Sequence, residues 1–257
     1  MRRILISLVC SLLAGGLVIG GVALVGKLSR DHLRDRNSFT IRVSDIDVNA
    51  PPEGSRELLL AELQYEGVLE DRINLHDEGL AERLGKAFRT HPRVAEVERV
   101  TIGPGNAVHV KLRYRVAVLA VPVNGVRRTI DVDGILLPPS IRTDGLLVFR
   151  EKGVPLPPLV DSGNTWADKR MLRASRTAAL LRAETQLGLA TIATDDDGSI
   201  TLGSKGGTLI SWGMPPDEEE DGEPAAHDKL ARLRSLWRQH GDLDHLSSAE
   251  ANLRHAP

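Results

Sequence analysis

Leu159-Val160-Asp161-Ser162-Gly163 sets an aspartate and a serine in a glycine turn, the residue types of an aspartic-protease loop. That chemistry needs two carboxylates sharing one proton, supplied by two such loops or by a dimer. No second Asp-Ser/Thr-Gly triplet occurs in the chain. The segment leads into a helix start, where Asp, Ser, Asn and Thr act as caps, and a capping turn is the preferred reading. Asp195-Asp196-Asp197-Gly198 has the look of a calcium loop. With Gly198 at the sixth position, Ala193 stands first and Ser204 twelfth, so two essential ligands are missing and a hairpin turn is expected. Gly203-Ser204-Lys205-Gly206-Gly207-Thr208 follows a strand without opening a helix, and its spacing is wrong for a phosphate loop. His240 and His245 do not fall at i, i+4, and no third ligand is nearby. Neither a nucleophile elbow nor a dinucleotide fingerprint is present. The expectation is a protein with no catalytic residues, no cofactor and no metal.

Composition narrows the class further. The 257 residues carry 33 Lys and Arg against 35 Asp and Glu, a near-neutral balance unlike that of a dedicated nucleic-acid binder. One cysteine allows no internal disulfide and no multi-cysteine zinc site. Aromatics make up 3%, leaving few rings to stack on bases or sugars, and cores must be aliphatic.

The elements that would position any site begin with an anchor. Met1-Arg2-Arg3 precedes an uncharged stretch from Ile4 to Gly26, closed by Lys27. As a helix it rises about 34 Å, enough for a hydrocarbon core of about 30 Å. It is longer than the apolar run of a secretory leader, and Gly21-Val22-Ala23 is a poor cleavage site. Residues 4–26 are therefore read as an uncleaved transmembrane helix containing Cys10, with residues 1–3 as a cytoplasmic tail and 27–38 as a charged linker. Lys and Arg counts on the two sides do not decide orientation.

Beyond the linker, alternation of Phe39, Ile41 and Val43, then Ile46 and Val48, predicts one extended strand with a bulge. Ser55 caps a helix carrying Leu58, Leu59, Leu60, Leu63 and Tyr65, stopped by Gly67. Asp77 caps a second, with Leu80, Leu84, Ala87 and Phe88 at helical spacing, ended by Thr90-His91-Pro92. Val94–Ile102 and Val108–Val116 read as strands around a Gly103-Pro104-Gly105-Asn106 turn. This is a compact βααββ unit. Hairpin signals follow at Asn124-Gly125, Asp133-Gly134, Asp144-Gly145, Asp197-Gly198 and Gly206-Gly207. Between them a long helix is expected from Ala167 to Leu187, with a capping-box-like start at Thr165 and Asp168 and a buried stripe of Met171, Ala174, Ala178 and Leu181. An acidic, solvated loop (215–226) precedes a final helix over 228–240, and the tail from Ser247 is read as polar and weakly ordered. The fold class expected is α+β.

This order of anchor, βααββ unit and hairpin-rich β domain resembles the FtsQ/DivIB family of bacterial cell-division proteins. Phe39-x-Ile41-x-Val43 looks like the family's first strand. Leu80-x-x-x-Leu84 with His91-Pro92-x-Val94-x-x-Val97-x-x-Val100 looks like its helix-to-strand passage. Ile130-Asp131-Val132-Asp133-Gly134-Ile135-Leu136-Leu137-Pro138 resembles its hairpin. Ile200-x-Leu202-Gly203 and Asp228-Lys229-Leu230-x-x-Leu233 resemble its late strand and helix. Tyr114-Arg115-Val116-Ala117-Val118 departs from the family by lacking its Glu and Pro. Only Ala251-Asn252-Leu253-Arg254 resembles the family's closing strand.

The resemblance implies a POTRA-like domain near 39–119 and a β domain over 120–257. It implies a non-enzymatic scaffold of the divisome, anchored in the cytoplasmic (inner) membrane with its N-terminus inside and its domains outside. Partners would be FtsB- and FtsL-like coiled-coil proteins and the peptidoglycan synthesis pair, with no nucleic acid and no small-molecule substrate. Contacts are expected on the tail strand and last helix, through Arg232, Arg234, Trp237, Leu253 and Arg254, the arginines giving specificity. Two alternatives stand beside it. One is a POTRA-type module of a secretion or outer-membrane assembly system, and the other a membrane-anchored hydrolase using Asp161.

Overall fold

The computed structural model describes residues 39–151, 161–166 and 168–255. The expected span at 4–26, with its flanks 1–3 and 27–38, lies outside the described residues. Among those described, no helix is long and apolar enough to cross a membrane. The chain is mixed α+β, with four α-helices and three sheets among the described residues. It divides into two compact units. One takes residues up to Ala50, Gly54–Phe88 and Val97–Leu112; the other takes Pro51–Glu53, Arg89–Glu96 and everything from Arg113.

In the first unit the single strand expected over 39–48 is two. Strand β1 is Thr40–Arg42 and β2 is Asp47–Val48, separated by a 3-10 turn over Val43–Asp45. Asp45 Oδ2 accepts from the Arg42 N–H at 3.4 Å and closes that turn. The two apolar pairs remain buried because the turn absorbs the three-residue step between Val43 and Ile46. Strand β1 pairs antiparallel with β3, Arg72–Asn74, which carries one buried residue, Ile73, and too little pattern to be read from sequence. Strand β2 runs parallel to β5, Val108–Tyr114, and β5 lies between β2 and β4, Val94–Ile102. Asn49 extends β2 by a side chain: its amide donates to the Leu112 carbonyl at 2.9 Å and accepts from the Leu112 N–H at 2.8 Å.

Helix α1, Arg56–Tyr65, starts where the Ser55 hydroxyl accepts from the Leu58 N–H. It buries Leu59, Leu60 and Leu63, while Leu58 and Tyr65 face solvent. Helix α2, Leu80–Thr90, buries Leu80, Leu84, Ala87 and Phe88 as its periodicity predicts. Asp77 is displaced from the N-cap by a glycine turn, Gly79 having φ +70°. Its carboxylate pairs instead with Arg83 at 2.7 Å.

The second unit is a six-stranded sheet in the order β11-β10-β9-β8-β6-β7. Strands β6, Leu119–Val123, and β7, Val126–Ile130, form the Asn124-Gly125 hairpin; both turn residues have positive φ, as a type I′ turn requires. Strand β8 is Leu147–Phe149 and β9 Leu189–Thr194, parallel to each other. Strands β10, Ile200–Ser204, and β11, Leu209–Gly213, complete an antiparallel meander from β9. Helix α3, Lys169–Leu181, packs on β6, β8 and β9 with Met171, Ala174, Ala178 and Leu181 buried. The Asp168 carboxylate caps it, accepting from the Arg170 N–H at 2.8 Å. The helix ends before the expected Leu187. The chain leaves helical geometry at Glu184, turns once more over Thr185–Leu187 and stops at Gly188, φ +66°. Helix α4, Ala226–His240, adds Ala226, Leu230, Leu233 and Leu236 to the same core.

The acidic segment is a loop with Asp217, Glu220 and Asp221 exposed, but three of its glutamates are engaged with the fold. Glu218 bridges Arg173 and Arg176 of α3 at 2.7 and 3.1 Å, Glu219 accepts from the Ala226 N–H that opens α4, and Glu223 turns inward. The described part of the tail packs on the fold as well, with Ala251 and Leu253 buried.

Candidate partner-binding edge

Strand β11 is one margin of the six-stranded sheet, and a margin exposes backbone donors and acceptors to any incoming strand. Here the chain's own tail meets it. The Ser211 N–H donates to the Ala251 carbonyl at 2.8 Å, and the Leu253 N–H donates to the Ser211 carbonyl at 2.8 Å. Asn252 thus bridges Ser211 in parallel. The added strand is one bridge long, and Leu209 on the same margin is 64% exposed.

Side chains fix the tail in place. Leu253 is fully buried and Leu243 nearly so, both in the core under α4. Glu250 caps the Ser247 turn, accepting from the Ser247 N–H at 3.0 Å and hydroxyl at 2.6 Å, and contacts His240 Nε2 at 3.0 Å. The Ser247 hydrogen bonds hold the Glu250 carboxyl below its ordinary range. Arg232 Nη1 donates to the His255 carbonyl at 2.8 Å.

Beneath the margin lies a charged pair in an apolar setting. Lys229 Nζ donates to Glu223 Oε1 at 2.7 Å and to the Met214 carbonyl at 3.0 Å, and stands 5.5 Å from the Trp212 ring centre. The same Glu223 oxygen accepts from the Met214 N–H at 2.8 Å. Burial pushes the Glu223 carboxyl up, but hydrogen bonds from Lys229 and from the Met214 and Glu220 amides outweigh it, and the net direction is down. Gly213, φ +90°, has no room for a side chain here; an added Cβ would meet Glu223 Oε1 at 1.8 Å.

Of the residues expected at partner contacts, Arg234 is exposed, but its guanidinium grips Glu184 through two hydrogen bonds. That pairing sets the Glu184 carboxyl low. Arg232, which a partner contact would need exposed, is half-buried and engaged with the tail. Trp237 packs against the core with part of its ring accessible, and Arg254 is half-buried beside Gly213. Leu253 is a core residue and offers no side chain to a partner. Sequence reading missed Lys229 and Glu223. The signal was there: Lys229 falls three residues after Ala226 and four before Leu233, on the apolar stripe of α4.

The other chemistry weighed from sequence is also placed. Asp161 stands exposed on a turn, hydrogen-bonded to no other side chain among the described residues. Its neighbour Ser162 accepts from Arg128 at 2.9 Å, and the Gly163 N–H extends the backbone pairing to Leu136. Asp195-Asp196-Asp197-Gly198 is the β9–β10 turn, where Asp197 accepts from the Ser199 N–H and hydroxyl. Among the described residues no group of three or more His, Cys, Asp or Glu is placed to hold a metal ion.

No protein-family model matches the chain, and no curated protein is detectably similar to it.

Proposed function

We propose that this chain is a non-enzymatic, bitopic scaffold of the bacterial division machinery, of the FtsQ/DivIB kind. In this reading residues 4–26 anchor it in the cytoplasmic membrane with the N-terminus inside. Residues 39–119 form a POTRA-like domain and 120–257 a β domain, both outside. Its work is to join division proteins, the FtsB- and FtsL-like coiled-coil partners and the peptidoglycan synthesis pair, through protein–protein contacts.

The observation that carries the reading is the margin at β11. A sheet edge backed by a helix, and overlaid by its own tail at one residue only, is suited to accept a further strand. The motif order given above, from Phe39 to Leu233, supports the same conclusion. Exposed Arg234 and the accessible part of Trp237 lie on the helix that backs this margin.

The test is a fluorescent fusion expressed at native level, combined with depletion. Recruitment to midcell and filamentation on depletion are expected. Uniform membrane signal with normal division would refute the proposal. An envelope-assembly defect without filamentation would favour a secretion-type POTRA module instead. A reporter fused after residue 38 reads topology independently, and a cytoplasmic signal would contradict the assigned orientation.

A further inference from the structure

Arg93 is 5% exposed, yet its guanidinium finds only neutral acceptors among the described residues. Nη1 donates to the Glu53 carbonyl at 2.6 Å, Nη2 to the Ser140 hydroxyl at 2.7 Å, and Nε has no acceptor. A guanidinium carries five donors, and two are used. A buried cation without a counter-charge is costly, which makes an uncompensated arginine a place where an anion gains most.

Arg93 lines a cavity of about 200 Å³ within the second unit, together with Glu53, Tyr114, Arg115, Leu137 and Arg182. The charges on its wall are unequal. Arg115 is already neutralised by Asp131 at 2.7 Å. Arg182 is exposed and makes no ion pair among the described residues. The Glu53 carboxylate is turned to the Arg142 N–H, which it accepts at 3.0 Å. Burial pushes the Tyr114 phenol up to about 12 against the pull of Arg93, so this part of the wall adds no negative charge at physiological pH. Leu137 supplies an apolar floor.

We infer that this cavity is a carboxylate-binding site, in which Arg93 receives the anion and Arg182 steers it from the rim. The ligand is a side-chain-sized acid, either a free small carboxylate or the carboxylate of a partner segment. The inference does not depend on the scaffold reading, because it rests on a different surface and on charge alone.

The test uses the full-length chain in detergent micelles. Thermal shift and calorimetric titration are run with succinate, with acetylated tetra-alanine bearing a free C-terminal carboxylate, and with its C-terminal amide, all at matched chloride. Saturable stabilisation by a carboxylate probe, absent with the amide, is expected. Preference for succinate identifies a free small acid, and preference for the peptide identifies a protein segment. Arg182→Ala, at an exposed position, should weaken binding about tenfold, the loss of one charge-assisted contact. Arg93→Met should abolish it. If Arg93→Met does not fold, Arg182→Ala still decides. Equal shifts with chloride or the amide, no saturable shift, or unchanged binding in Arg182→Ala would overturn the inference.

Discussion

The Lys229 ammonium meets the Glu223 carboxylate at 2.7 Å with both side chains withdrawn from water, 0% and 5% exposed. This pair ties α4 to the end of β11 through Met214, whose N–H and carbonyl it also satisfies. Removing one partner leaves a buried charge alone, at a cost of about 3–5 kcal/mol. Lys229→Met and Glu223→Gln should each lower the melting temperature strongly. The double variant should lose less than the sum of the two. Strict additivity in thermal unfolding would show that the pair does not act as a unit.

The same carboxylate sets a pH dependence. Glu223, Glu184 and Glu250 all lie below their ordinary value, 4.5, in the folded chain. A carboxylate depressed on folding adds stability at pH above its unfolded value. That stability is lost as pH falls through the folded value. The stability these three carboxylates add should therefore be present above about pH 4.5 and fall progressively on acidification below it. Glu223→Gln should flatten that acid limb, as read from melting temperature against pH. An unchanged limb would mean that Glu223 titrates alike in both states.

The tail over β11 gives a third expectation. Leu253→Ala opens a cavity under α4 and should cost about 2–5 kcal/mol. It should also release the Ser211 pairing, so that the Ser211 and Leu253 amides exchange hydrogen faster than those of the β9–β10 ladder. Exposed edge backbone invites strand addition, so truncation after Ser247 should raise self-association in sedimentation. Slow Ser211 exchange in both variants would show that the tail does not protect the edge.

What could be read beforehand follows from how local the cause is. The Asn124-Gly125 hairpin and the stripe of α3 depend on neighbours in sequence, and both stand where the pattern put them. Over 39–48 the pattern predicts one strand where there are two, because alternation reports burial, not backbone direction, and a 3-10 turn buries Val43 equally well. Strand β3 is three residues long and pairs with β1, about thirty residues away in sequence, so no local pattern marks it. The acidic segment reads as solvated by composition, since Arg173, Arg176 and Lys229 approach it only in the folded chain. The tail reads as polar because its anchors, Ala251 and Leu253, are two residues among hydrophilic ones. At the candidate edge, no local pattern assigns Arg234 to Glu184, Arg232 to the tail or Leu253 to the core, because each of these partners is distant in sequence.

Two turn glycines separate conformational strain from steric clash. Gly134 and Gly145 share nearly the same backbone, φ +73° and +74°. An added Cβ at Gly145 meets nothing within 4 Å, whereas at Gly134 it meets Leu172 Cδ2 at 2.8 Å and the Trp166 carbonyl at 3.0 Å. Gly145→Ala should cost about 1 kcal/mol, the left-handed penalty for an L-residue. Gly134→Ala carries that penalty and a further cost of about 1–3 kcal/mol for overpacking. The turn at Gly134 is held by Asp131, whose Oδ1 accepts from the Asp133 and Ile135 N–H groups, so it cannot open to relieve the clash without breaking both bonds. Thermal unfolding of the two variants compares them directly. Equal losses would show that Leu172 moves aside freely and that only φ matters at both sites.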